Sequence, residues 1–417
     1  MVKLFDPYAN FETAVLPNGL SIYALHYPKC STQALGFMVH SGAKEDPIGM
    51  EGLSHFTEHL VSCNCSLSPD DLKNVFDSWG GNYALGITHY FSTDYRLFVP
   101  AEKKILAQAF DLFGQMLITA KLRRGIKRER QVILEEIARK ITEKNLKRQL
   151  QINRKFYGDF WRSRFYSPFG SIDFVKSAKQ ADLQMNYDRH YTPANISIVS
   201  VGHLNVNQLA KLLANSPFGN DKVGVKTPLE KPLLTISPPT ESYQRYTHEE
   251  FGRTSDTVCY FNRFKLPGNI SYRALMIFKS MLEHLLFKEL REKRSLTYDV
   301  NIHYEWLSQL HYLQIFLESR DATATEEINL TIDRSIASLT GRTDLFERFK
   351  DRRIKNLKMN DPSNRGIADE AMDDLRSFQR IVSIKEIIEQ YRRVNMNDIN
   401  ELISWLTPEM KTTLVIY

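Results

Sequence analysis

The residues with the clearest chemical potential lie in one short run. Gly52-Leu53-Ser54-His55-Phe56-Thr57-Glu58-His59-Leu60 places two histidines and a carboxylate at the spacing His-x-x-Glu-His. On a helix, positions i and i+4 are neighbours, so His55 and His59 share a face. Two imidazoles so placed can bind one zinc ion and leave positions open for water. Glu58 stands beside that face, where it could take a proton from a water at the site. The order His-x-x-Glu-His is the inverted form of the zinc-peptidase motif. The same five residues also suit a buried helix with two hydrogen-bonded histidines, so the surrounding elements must decide.

A second helix offers the missing ligand. Glu129-Arg130-Gln131-Val132-Ile133-Leu134-Glu135-Glu136-Ile137 has Glu129 and Glu136 seven apart, two turns, on one face, with Glu135 pointing away. A zinc held by two histidines needs a third protein ligand, and a carboxylate from a neighbouring helix serves. Glu136 fits that place, with Glu129 behind it as a hydrogen-bonding support. The alternative is a solvated acidic face among Arg128, Arg130 and Arg139.

The elements that must position these groups alternate between strand and helix. Phe11 to Val15, the turn Pro17-Asn18-Gly19 and Leu20 to Leu25 read as a hairpin. Ala34 to Val39 is a further strand. Ser68-Pro69-Asp70-Asp71 opens a helix with a cap, a first-turn proline and two acids at the positive end of the dipole. Gly80-Gly81 ends it. Tyr83 to Val99 holds two strand-like runs, and 101–120 has helical spacing. Ile196 to Gly202 is a strand and Asn205 to Ala214 a helix.

Residues 216–242 hold five prolines and little periodicity, which places a linker there. Beyond it the order repeats. Thr257 to Phe261 reads as a strand, 271–291 as a long helix, and Tyr298 to Ile302 with Tyr312 to Leu317 as a strand pair. Helices over 324–340, 343–358 and 384–404 follow, then a closing strand, Thr412 to Tyr417. The expected fold is α+β, with two similar domains, each a mostly antiparallel sheet packed with helices. A diverged duplication accounts for the repeat.

Composition narrows the function classes. The chain has 417 residues, 42% hydrophobic and 25% charged, the balance of a soluble globular protein of about two domains. A net charge of +6 is mild for this length and does not describe a dedicated nucleic-acid binder. Basic runs at 121–130 and 144–155, within a basic and aromatic stretch over 139–165, are interleaved with acids and read as solvated helix faces. No apolar run has membrane-spanning length, and the N-terminus lacks a signal or transit pattern. These readings predict a cytoplasmic protein with neither a nucleic-acid nor a membrane partner. Four cysteines do not form a disulfide framework. Cys63-Asn64-Cys65 has no second pair to complete a zinc knuckle, and Cys30 and Cys259 read as core.

Taken together and in order, these pieces resemble the pitrilysin and insulysin superfamily of inverted zinc peptidases, in the branch of mitochondrial-processing-peptidase-like and small bacterial members. The resemblance runs from Leu16-Pro17-Asn18-Gly19-Leu20 through Gly42 to Glu45, the histidine motif, Gly80-Gly81-Asn82 and the 129–136 helix. It continues through Tyr191-Thr192-Pro193-Ala194-Asn195 and Leu290-Arg291-Glu292-Lys293-Arg294-Ser295-Leu296-Thr297-Tyr298. It implies one zinc per active site, held by His55, His59 and Glu136, with Glu58 as general base and Glu129 as the acidic support. Glu136 follows the second histidine by 136 − 59 = 77 positions, which suits the family's spacing.

The resemblance also implies that Arg291 and Tyr298, 298 − 291 = 7 apart, hold substrate, and that Asn82, Tyr83 and Ala84 form an edge strand pairing with its backbone. It implies a division into a zinc-binding catalytic domain, 1–215, a linker, 216–242, and a C-terminal domain of similar fold, 243–417, together half of a clamshell chamber. A homodimer would complete the chamber, with a heterodimer with a related chain as the other arrangement. The implied activity is zinc-dependent endopeptidase cleavage of peptides or unfolded segments, leader and signal peptides included. The alternative is a non-catalytic core or partner subunit. Two departures touch the substrate groove: Val61-Ser62-Cys63-Asn64-Cys65 lacks the usual glycine-bearing loop, and Asn82-Tyr83-Ala84 replaces the commoner Asn-Ala step.

Overall fold

A computed structural model of the chain describes residues 5–140, 169–222, 224–227, 243–251, 255–307, 310–359 and 362–417. Its strands are β1 (Glu12–Val15), β2 (Ser21–His26), β3 (Thr32–Val39), β4 (Asn82–Thr88), β5 (Thr93–Pro100), β6 (Ile196–Gly202), β7 (Tyr243–Tyr246), β8 (Val258–Leu266), β9 (Val300–Leu307), β10 (Leu310–Ser319) and β11 (Lys411–Ile416). Its α-helices in the first half are α1 (Leu53–Ser62), α2 (Pro69–Ser78), α3 (Lys103–Gly114), α4 (Ile126–Lys140), α5 (Ile172–Ser177), α6 (Gln180–His190) and α7 (Val206–Ala214). The second half adds α8 (Tyr272–Leu286), α9 (Thr325–Ala337), α10 (Thr343–Lys358), α11 (Asn364–Phe378), α12 (Ile384–Arg393) and α13 (Met396–Trp405).

Local chemistry explains the punctuation. Gly19 adopts φ +88° in the loop joining β1 to β2, a conformation that glycine enters without steric cost. The Ser68 hydroxyl accepts from the Asp71 amide at 3.1 Å, capping α2, and Gly80 takes φ +66° beyond its end.

The fold is α+β, with two sheets packed by helices. The chain divides into two units. In the first, the sheet runs β1-β2-β6-β3-β5-β4. β2 and β6 are parallel and the other neighbours antiparallel. In the second it runs β7-β11-β8-β10-β9, with β7 and β11 parallel and the rest antiparallel. Chain order and strand directions are therefore the same in both, apart from the extra β1. This match carries the duplication that no residue identity reveals.

The first unit's core lies between its sheet and the α1, α3, α6 and α7 layer. Phe37 of β3 stacks on Phe113 with centroids 4.5 Å apart and on Phe218 at 5.6 Å, and all three rings are fully buried.

The division corrects the sequence reading in two places. Residues 216–222 and 224–227 are not a free linker. Phe218 sits in the core, Lys222 donates to the Tyr191 carbonyl at 2.9 Å, and the Thr227 amide donates to Asn195 Oδ1 at 2.7 Å. The rest of the expected linker, 228–242, lies outside the described residues. Second, residues 362–384, assigned from sequence to the C-terminal domain, belong to the first unit. They carry α11, an unread helix that packs on β3 and β6. A Cβ on Gly36 would stand 2.8 Å from Met372 Sδ, so the glycine in β3 makes room for the helix.

Smaller differences follow helix-end chemistry. The long 271–291 helix ends as α8 at Leu286 and widens into a π-turn over Phe287–Glu292. The 384–404 helix is two, α12 and α13. Tyr298 precedes β9, and Cys30 sits between β2 and β3. The basic and aromatic stretch falls almost entirely outside the described residues. Among the described residues, no helix is long and apolar enough to cross a membrane.

Candidate metal centre

The histidine motif forms α1, whose start is crowded by design. Gly52 has φ +99°, and a Cβ there would come 2.7 Å from the Cα of Gly170. Only glycine accepts both the conformation and the contact. Asp46 accepts from the Gly52 amide at 2.7 Å, the Ser54 amide at 2.8 Å and the Ser54 hydroxyl at 2.6 Å. Burial pushes its pKa up to about 6, against the pull of those donors. Phe56 and Leu60 anchor the opposite face in the core.

On the open face three atoms converge. His55 Nε2 and His59 Nε2 are 3.3 Å apart, and Glu136 Oε2 of α4 lies 3.7 Å from the first and 3.5 Å from the second. Zinc bonds of roughly 2.0–2.2 Å set tetrahedral ligand–ligand edges of roughly 3.3–3.6 Å. The triangle is therefore close to the dimensions that three ligands of one tetrahedral ion would need. Glu58 competes for the third position, since ligand atoms of His55, Glu58 and His59 lie within 4.8 Å of one another. Its carboxylate stands 4.0 Å from His55 Nε2 and is held elsewhere by Thr88, whereas Glu136 approaches both ring nitrogens. Glu136 is thus the better ligand and Glu58 is left beside the site.

Each histidine is oriented from behind. His59 Nδ1 meets Glu129 Oε2 at 3.1 Å, which leaves Nε2 for the metal side. The other Glu129 oxygen receives Arg128 Nη2 at 2.7 Å, and the Cys63 thiol donates to it at 3.5 Å. Burial raises Glu129's pKa, but His59 and Arg128 outweigh that and hold it below the usual range. His55 Nδ1 lies 3.4 Å from the Phe169 carbonyl. Burial, with Glu129 adding, pushes the Cys63 thiol up to about 11. The described cysteines are free thiols.

Glu58 is set by the edge strand β4. Thr88 Oγ1 donates to Glu58 Oε2 at 3.1 Å, and burial pushes the carboxyl up to about 7, while His59 and Thr88 pull it down. A bulge makes this contact. In β4, Ala84 pairs with Arg96 and Ile87 with Asp94, so Leu85 and Gly86 together oppose Tyr95. The extra residue resets the alternation: Thr88 turns to the metal side and Ile87 to the outer face. Gly86 has φ +157°, and a Cβ on it would stand 2.0 Å from Glu58 Oε1.

His55, Glu58, His59, Glu129 and Glu136 thus line one cleft of about 450 Å3, with Leu85 to Thr88 of β4 and Phe169. Asn82, Tyr83 and Ala84 begin the same strand, which is the edge strand of its sheet among the described residues. Tyr83 packs on Phe76 at 4.9 Å. Arg291 and Tyr298 lie in the second unit, where the guanidinium sits 4.5 Å from the Tyr298 ring centroid and 4.7 Å from that of Phe287. Tyr298 is 80% exposed. Thr88, Gly86 and Phe169 escaped the sequence reading, and Arg128 entered it only as part of a solvated face. Gly86, a glycine inside a strand run, was the one legible signal, since such glycines often mark a bulge or a close approach.

Comparison with known proteins places the chain in a family. Residues 22–163 match the family model for insulinase, peptidase family M16, and residues 177–340 match that for the peptidase M16 inactive domain. The chain belongs to peptidase family M16. Its relatives include probable zinc protease PqqL of Haemophilus influenzae, 26% identical over 54% of this chain but only 25% of that protein. The match therefore spans about a quarter of that relative's length. An uncharacterized zinc protease of Rickettsia felis is 22% identical over 98% of this chain and 97% of its own. Among solved structures, a peptidase M16 inactive domain from Pseudomonas fluorescens superposes with TM-score 0.80 at 14% identity, over 98% of both chains. That likeness speaks for the fold. The relatives' names speak for a zinc-protease lineage.

Proposed function

We propose that the protein is a zinc-dependent metalloendopeptidase acting on peptides and unfolded segments. One observation carries the reading: the His55–His59–Glu136 triangle has zinc dimensions, and a buried, unspent carboxylate, Glu58, stands beside it. A zinc ion held there would polarise the scissile carbonyl and acidify a water. Glu58 would accept the proton of the attacking water and return it to the leaving nitrogen. Glu58 is buried beside the triangle, and Thr88 fixes which way the carboxylate faces. The free edge of β4 supports peptide binding by strand addition, which favours extended substrates over folded ones. Arg291 or Tyr298 would steady the developing oxyanion.

A homodimer belongs to the proposal, the Arg291–Tyr298 pair of one chain serving the metal centre of the other. A fully active monomer in sedimentation would remove it. The non-catalytic reading draws on the match of 177–340 to a model described as inactive. The four groups His55, Glu58, His59 and Glu136 lie outside that stretch, in the part that matches the insulinase model. The deciding experiment measures bound zinc and cleavage of a quenched peptide library for wild type and Glu58→Gln. The peptidase reading expects zinc in both and cleavage in the wild type alone. Absence of stoichiometric zinc after metal-replete purification would leave the non-catalytic reading in front.

A further inference from the structure

We propose that the outer face of β4, turned away from the metal, carries a subsite for an acidic substrate side chain, walled by α11. The inference rests on the peptidase reading and adds a substrate class to it. A pocket of about 100 Å3 lies between the β4–β5 face and α11. Its size matches one medium side chain rather than a separate small-molecule ligand. It adjoins the metal cleft directly, since Ile87 lines both.

The register explains why a docked peptide would reach both. Cross-strand partners share a face. Tyr83 and Leu85 pack toward the core with Tyr95 and Leu97, so Ala84 and Ile87 face outward with their partners Arg96 and Asp94. A strand added to the free β4 edge alternates its side chains between the same two faces. Neighbours of a residue facing the metal cleft therefore point over the outer pocket. Ala84 is short, so a long side chain can cross it toward α11.

Charge selects the guest. The floor is apolar and small, with Ala34, Ala84 and Ala368. At the rim, Asp369 is already held by Arg96 Nη1 at 3.0 Å and approached by Arg365 Nε at 3.9 Å. Arg96 also faces Asp94 Oδ2 at 3.6 Å, so the group that selects is the exposed Arg365, whose guanidinium reaches Asp369 only at 3.9 Å. The Arg96 Nε–H is buried without an acceptor. Asp94, beneath, is shared among Arg376, His89 and Arg96. A glutamate offers an aliphatic stem for the alanines and an acceptor for the guanidiniums, whereas a lysine or arginine would meet like charge.

The test uses peptides identical except for Glu, Gln or Lys at successive positions. Cleavage is measured with the wild type and binding, by fluorescence anisotropy, with Glu58→Gln. Both are repeated with Arg365→Glu, an exposed substitution that leaves the core intact, with circular dichroism to show each variant folded. The subsite predicts one position at which Glu exceeds Lys by about tenfold in cleavage or binding, and at which Arg365→Glu reverses the order. Selective binding without cleavage by the wild type would sustain the subsite and sink the peptidase reading. Cleavage with no acidic preference at any position, or one unmoved by Arg365→Glu, would overturn the subsite and leave the peptidase reading standing. Peptides neither cut nor bound would overturn both.

Discussion

At the scale of single residues, the candidate centre divides into groups that would touch a metal, groups that orient those, and one group that would move a proton. The divisions predict different losses. Glu129→Gln should keep the fold and weaken zinc binding about 10–100-fold, the usual cost of losing an orienting partner, as read by chelator competition. Thr88→Val should leave zinc affinity unchanged and cut turnover about tenfold, because a hydrogen bond to a charged group contributes roughly 1.5 kcal/mol or more. Gly86→Ala is the sharper probe. Its new methyl would displace the Glu58 carboxylate, so cleavage should vanish while zinc content persists. Cleavage by Gly86→Ala at the wild-type rate would show that Glu58's position does not matter to the reaction.

The sequence exposed the first and third groups well and the second poorly. His55, Glu58 and His59 are bound to one another by local spacing, and helical periodicity is enough to place them on a face. Glu129 and Glu136 were legible for the same reason, once a third ligand was required. Thr88 and Phe169 were not, because their roles arise from a strand bulge and from a carbonyl brought in by tertiary packing. Neither depends on residue type in a way that spacing can reveal.

At the scale of elements, α11 is the piece that sequence order misplaced. Its helical pattern is ordinary, and nothing local says which sheet it will cover. Packing decides: a glycine in β3 and a buried charge in β5 are complementary to it. Asp94 is fully buried and bonded to Arg376 of α11, which also donates to Ser92 Oγ at 3.1 Å. Burial alone would raise the Asp94 pKa, but His89, Arg376 and Ser92 hold it below its ordinary value. A depressed carboxylate contributes stability that is complete above its unfolded pKa and lost as pH falls through the folded one. Arg376→Ala should therefore destabilise the fold by about 3 kcal/mol at neutral pH, the low end for breaking a buried pair, because His89 at 3.3 Å and Arg96 at 3.6 Å still face Asp94. Pairing it with Asp94→Asn should recover part of the loss. Urea unfolding of the two variants reads this out, and equal stability of single and double variants would contradict it.

At the scale of the whole molecule, the duplicated sheet topology was legible as a repeated order of elements, because strand and helix periodicities survive when residue identity does not. Two buried histidines in the first unit add an acid limit. Burial pushes His40 down to about 4, with Lys226 adding, and His190 to about 4, with Arg189 adding. Both stay neutral in the fold at pH values where an unfolded histidine, near 6.5, takes a proton. Their contribution is complete above about 6.5 and is lost as pH falls toward 4. The urea midpoint should drop steadily across that window, and His40→Gln should flatten part of the slope. A midpoint constant from pH 7 to pH 4 would rule this out.

The return of α11 to the first sheet makes that unit non-contiguous along the chain. A polypeptide ended after Thr227 would contain every group of the metal centre, yet leave Ala34, Gly36 and the Asp94 carboxylate uncovered. Such a fragment should be poorly soluble alone and rescued by adding residues 243–417 as a separate chain. The half that carries the candidate metal centre and the half that follows it are then a single unit of inheritance: neither can be lost, exchanged or fused elsewhere without carrying a helix of the other.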